Sequence, residues 1–127
     1  MYQTDIKTFN INNIIIYLRK SRKDLEYGNN ESIEKTLQRH EEILQKWAIN
    51  NLGKKIPERQ IYREVASGDT IADRPVMQTV LKLIEGNSIV GVLCLEVERL
   101  ARGNTLDQGI ILQTFQYTNT KIITPQK

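Results

Sequence analysis

The sequence predicts an α/β domain with a mostly parallel central sheet flanked by helices. Three observations predict it. Short apolar, β-branched runs alternate with stretches whose apolar residues recur at three- and four-residue steps, giving the order β-α-β-α-β-α-β. One run, "SIVGVLCLEV" at 88–97, is almost continuously apolar, as a strand covered on both faces should be. The 127 residues, 39% hydrophobic and 26% charged, suit one globular domain burying roughly two thirds of its extended-chain surface.

The elements follow in order. Residues 14–18 read as a buried strand that ends at charge. "YGNN" at 27–30 is loop chemistry, and Asn30 is placed to cap the next helix with Glu31 in its first turn. Ile33, Leu37, Leu44, Trp47 and Ala48 give that helix its apolar stripe, and Gly53 marks its end. "QIYREV" at 60–65 is a second strand and "ASGDT" a loop. Asp73-Arg74-Pro75 opens a helix with Val76, Val80, Leu81 and Ile84 on one side, closed by "EGN". After the third strand at 88–97, a helix is predicted to begin near Asn104, with Leu106, Ile110, Ile111 and Phe115 facing the core. "KIIT" at 121–124 is a fourth strand. There is no internal repeat and no low-complexity segment.

In a parallel sheet, function gathers at the carboxyl ends of the strands. Here those ends are "RKSRK", "ASGDT" and "ERLAR", so Arg19, Ser21, Arg22, Ser67, Asp69, Arg74, Glu98, Arg99 and Arg102 should converge. Guanidinium forks match phosphate oxygens, and a serine among them is a possible oxygen nucleophile. Pre-positioned cations stabilise the charge that builds on a phosphodiester under attack, the work a metal does elsewhere. Taken alone, a charge cluster after a strand is more often a solvated loop.

Other chemistries lack their residues. The only histidine, His40, falls mid-helix, so acyl transfer has no base; it reads as a solvated or partly packed helix residue. One Cys and one His are too few for a structural zinc site. A carboxylate-only Mg²⁺ site from Asp69, Asp73 and Glu98 stays open but is disfavoured by the surrounding arginines. Neither phosphate-loop nor dinucleotide glycine motifs occur. Cys94 reads as a buried small hydrophobe in a reducing setting. "IIIYL" is far too short to span a bilayer, and no signal-peptide pattern precedes it. The net charge of +3 permits a polyanionic partner without requiring one.

Tyr17-x-Arg19-x-Ser21, then Ser67-Gly68 with Asp73-Arg74-Pro75, then Glu98-Arg99-Leu100-x-Arg102 after an apolar strand, resembles the catalytic domain of serine site-specific recombinases: resolvases, invertases, large serine integrases and transposases. The resemblance covers roughly 13–126 and implies a resolvase-like fold. It implies that Ser21 attacks a DNA phosphodiester, forms a 5′-phosphoserine link and frees a 3′-hydroxyl, with no cofactor: neither ATP nor metal. By position, Arg19, Arg74, Arg99 and Arg102 match the family's phosphate-binding and transition-state arginines. Ser67 matches a supporting serine. Lys82 corresponds loosely to a further basic residue, one position out of helix register, and Arg22 joins the DNA phosphate-binding set.

Two residues depart from the pattern. Glu98 stands where the family usually has aspartate, one methylene farther out, and Thr36 where a glutamine is common. The resemblance further implies self-association to dimer and tetramer, a cytoplasmic setting, and an origin in bacteria, phage or mobile elements. Family members continue into a long dimerisation helix and a DNA-binding region. The chain, a single domain over 1–127, is therefore expected to be part of a longer protein, binding DNA weakly alone. Two alternatives remain: a non-catalytic phosphate- or nucleotide-binding module of flavodoxin-like shape, and an inactive recombinase relic.

Overall fold

A computed structural model describes residues 10–20, 32–66, 70–101 and 106–125. Strand β1 (Ile14–Lys20) is followed by helix α1 (Ile33–Leu52), β2 (Ile61–Val65), α2 (Pro75–Glu85), β3 (Gly91–Leu93), a short α3 (Val97–Leu100), α4 (Leu106–Tyr117) and β4 (Lys121–Ile123). Two 3₁₀ turns, Ile11–Asn13 and Glu58–Gln60, lead into β1 and β2. The strands form one sheet in the order β2-β1-β3-β4, every pair parallel. The predicted α/β class and parallel sheet are what is found.

The alternation of β1 builds two cores. All seven of its residues are buried. Ile14, Ile16 and Leu18 pack with Leu37, Leu44, Trp47 and Ala48 of α1 on one face. Ile15 and Tyr17 pack on the other with Met77, Val80 and Ile84 of α2, Leu100 of α3, and Ile111 and Phe115 of α4. A period of two therefore sends Arg19 to the α2–α4 face and Lys20 to the α1 face. Buried side-chain amides seal the seams. Gln45 of α1 accepts from Ile56 N (2.8 Å) and donates to Ile56 O (2.9 Å). Gln60 donates to Ile11 O and Ile14 O at 3.0 and 2.7 Å.

Four expectations are corrected. The cap of α1 is Ser32, whose hydroxyl accepts from Lys35 N at 3.1 Å, and the acidic first-turn residue is Glu34. Asn30 and Glu31 lie outside the described residues. Gly53 does end the helix, in the left-handed region at φ +91°. β1 runs on to Lys20, because β2 continues to pair with it there. The third strand is only Gly91–Leu93, with Cys94 N donating to Ile123 O at 2.9 Å as its last sheet contact. Beyond that point β4 offers no partner, and the chain coils into α3, still burying Leu100 and Ala101. Apolar content had signalled burial, not conformation. Finally, Leu106 and Ile110 of α4 point outward, 81% and 41% exposed, while Gln108 and Thr114 join Ile111 and Phe115 inside. Asn104 is outside the described residues. His40 is packed, 5% exposed.

Candidate functional site: an arginine cluster at the switch of strand order

From β1 the chain steps to β2 on one side and later to β3 on the other. Their connections lie on opposite faces, so the strand order switches at the carboxyl ends of β1 and β3, the place where sheets of this kind bind ligands. Three arginines meet there. Arg19, 4% exposed, is the next-to-last residue of β1; Arg74, 1% exposed, precedes α2; Arg99 lies on α3. Arg19 Nε and Arg74 Nη2 both donate to the Arg99 carbonyl, each at 3.0 Å. Arg19 also donates from Nη2 to Glu98 O (3.2 Å) and from Nη1 to Ala66 O at the end of β2 (2.9 Å). Arg99 Nη1 reaches Arg19 O at 3.5 Å, the outer limit of a hydrogen bond.

The short helix explains why the cluster forms. The last carbonyls of a helix have no partner within it, so those of Glu98 and Arg99 need donors, and two guanidiniums supply them. Among the described residues, two carboxylates face the cluster. Arg99 Nη2 lies 3.4 Å from Glu96, and Arg74 Nε lies 3.7 Å from Glu64. The Nε atoms of Arg74 and Arg99 are buried with no hydrogen-bond partner. Each orphaned donor costs about 1–3 kcal/mol.

Glu64 organises the buried side of the cluster, and the sequence reading missed it. The register sets it beside Arg19 on the α2 face. Its Oε2 accepts from Val76 N at 2.7 Å, and its Oε1 accepts from Met77 N at 3.2 Å and from the Tyr17 hydroxyl at 2.5 Å. It thus caps α2 from a neighbouring strand, where the residue before the helix, Arg74, gives no side-chain cap. Tyr17 completes the chain by accepting from Arg74 Nη2 at 2.9 Å, with the guanidinium 5.6 Å from its ring centre. Burial drives the Tyr17 phenol well above its ordinary range, against the opposing pull of the Arg74 charge.

The family sequence model described as "Resolvase, N terminal domain" matches residues 14–127. The chain belongs to the resolvase family. Its structure is similar to the C-terminal catalytic domain of ISC1926 TnpA, an IS607-like serine recombinase, at 26% identity and a TM-score of 0.66, covering 88% of this chain and 66% of that one. A serine recombinase from Sulfolobus solfataricus shares the fold at a TM-score of 0.61 and 17% identity, covering 89% of this chain and 67% of that one. The chain thus spans about two thirds of the length of these structures. It has the architecture of a serine recombinase catalytic domain.

Within this resolvase domain, the expected site residues divide. Arg19, Arg74 and Arg99 are brought together. Glu98 reaches them only through its carbonyl; its side chain is exposed on α3. Lys82 is exposed on α2, eight residues beyond Arg74 and so about 12 Å of helix rise away; it does not join the cluster. Ser21, Arg22, Ser67, Asp69 and Arg102 lie outside the described residues. Among the described residues no group of three or more His, Cys, Asp or Glu side chains is placed to hold a metal, and Asp73 is exposed, accepting from the Thr70 hydroxyl at 2.9 Å. No described helix is long and apolar enough to cross a membrane. Burial pushes the Cys94 thiol up to about 12, which keeps it in its neutral form.

Proposed function

We propose that this domain cuts and rejoins DNA in site-specific recombination, with Ser21 as nucleophile. The Ser21 Oγ attacks a backbone phosphorus, the Oγ–P bond forms and the P–O3′ bond breaks. The serine proton is lost, and the departing oxygen takes up a proton to become a 3′-hydroxyl. The 5′ end stays on the protein as a phosphoserine, and reversal by a new 3′-hydroxyl rejoins the strand. One phosphate ester replaces another, so no external energy source enters.

One observation supports this reading: two buried guanidiniums share the Arg99 carbonyl, with the third on Arg99 itself, and Arg19 stands two residues before Ser21 in the chain. The fixed positive charge of the Arg19, Arg74 and Arg99 guanidiniums stabilises the crowded phosphorane more than the diester. In this proposal Arg102 and Ser67 complete the phosphate site, and Arg22 and Lys82 contact flanking backbone. Glu98 assists the arginines or the leaving oxygen. The acting form is a dimer that pairs into a tetramer, within a longer cytoplasmic protein.

The test is a denaturing gel of labelled DNA carrying the ends of the element that encodes the protein. A protease-sensitive, slow band that forms in EDTA and is lost in Ser21→Ala supports the proposal. A phosphate-binding module or a relic would bind without forming it.

A further inference from the structure

We infer that Asp107 is a positioning residue for Arg74, holding the Ile71–Arg74 turn before α2 in register with the arginine cluster; this rests on the function proposed above. Asp107 is the second residue of α4, half-buried, and its Oδ2 accepts from Ile71 N at 2.9 Å, across 36 residues of sequence. The Ile71 carbonyl is held from the other side, accepting from Arg74 N at 2.9 Å and from the Gln78 side-chain amide at 2.8 Å. Residue 71 is therefore pinned by α4 through its N–H and by α2 through its carbonyl, and Arg74 hangs from that carbonyl.

Arg74 needs such an anchor. It precedes Pro75, which bars it from helical backbone geometry, and it sits at φ −126° and ψ 70°, outside the regular basins. Its guanidinium must then travel inward to reach Tyr17 and the Arg99 carbonyl. An ångström of play at Ile71 passes directly into the placement of that guanidinium, and misplacement on this scale slows catalysis by about a hundredfold. Asp107 adds a polar contact to the packing of Ile111 and Phe115 of α4 in the core that holds Tyr17.

Three variants test this in the intact protein. Asp107→Ala removes the acceptor, Asp107→Asn keeps an amide oxygen for Ile71 N, and Gln78→Ala releases the opposite side. The first readout is the rate of covalent complex formation on saturating DNA. The second is the NMR resonance of the buried Arg74 Nε–H in the free protein, which does not depend on DNA chemistry. The expected result is a slowing of about ten- to hundredfold in Asp107→Ala and Gln78→Ala, with DNA affinity within about twofold, near-normal rates in Asp107→Asn, and a displaced Arg74 resonance only in the two alanine variants. An unmoved Arg74 resonance in Asp107→Ala overturns the inference, as does equal impairment of Asp107→Asn, which would indicate a helix-terminus charge effect. Absence of any covalent product in the wild type would refute the proposed function while leaving the resonance to decide the clamp.

Discussion

Glu64 is the residue whose removal should harm this domain most. Glu64→Ala takes away the one carboxylate that the described residues place beside the buried Arg74 guanidinium, 3.7 Å away, and leaves that charge inside the protein. Breaking a buried pair in this way costs about 3–5 kcal/mol. It also strips the cap from Val76 N and Met77 N, worth about 1 kcal/mol more. The total, about 4–6 kcal/mol, rivals the whole stability of a small domain. Glu64→Gln keeps the shape and one acceptor but loses the charge, and should cost about 2–3 kcal/mol. Urea unfolding followed by the single tryptophan, Trp47, buried at 8% exposure on α1, reads this directly. Combining Glu64→Met with Arg74→Met should recover part of the loss, since an apolar pair no longer strands a charge. A loss below about 1 kcal/mol in Glu64→Ala, or a double variant weaker than the sum of the singles, would refute the reasoning.

Three further outcomes are expected. Tyr17→Phe leaves Glu64 and Arg74 each short of a partner and should cost about 1–3 kcal/mol in the same unfolding assay. Cys94 gives a pH signature: its folded value of about 12 exceeds its ordinary 9.0, so the unfolded chain releases the proton first. The stability this group contributes is fully present below pH 9.0 and is lost as pH rises towards about 12. Between pH 9 and 10, wild type should therefore lose roughly 1 kcal/mol more than Cys94→Val, measured by urea unfolding at each pH. Arg19→Lys keeps the charge but cannot reach the carbonyls of Ala66, Glu98 and Arg99 together, and should slow covalent complex formation by about 10²–10³ with a smaller change in DNA binding, read by single-turnover gels.

The arginines were legible because each lies within ten residues of the carboxyl end of a strand, on it or in the connection that follows, and a parallel sheet collects those ends on one side. Glu64 was not, although a signal existed. In "QIYREV" two charged residues are adjacent, and a period of two must send one to each face. Arg63 goes to the α1 side, pairing with Glu41 and Glu58 at 2.6 Å each, so Glu64 has to go inside. Which one did so depended on register with β1, which no local pattern encodes. The face of α4 was illegible for a different reason: Leu106, Ile110, Ile111, Leu112 and Phe115 run round the helix, so periodicity could not pick the buried side. The length of β3 was set by the three-residue β4 beside it, a tertiary fact.

In the proposed reaction Ser21 carries the DNA. The direct measurement is to trap the covalent complex, digest it with nuclease and chymotrypsin, and find by mass spectrometry which residue bears the nucleotide. A 5′-phosphonucleotide is expected on Ser21, in the peptide spanning Arg19 to Leu25. A nucleotide on any other residue, or a linkage to the 3′ end, would contradict it.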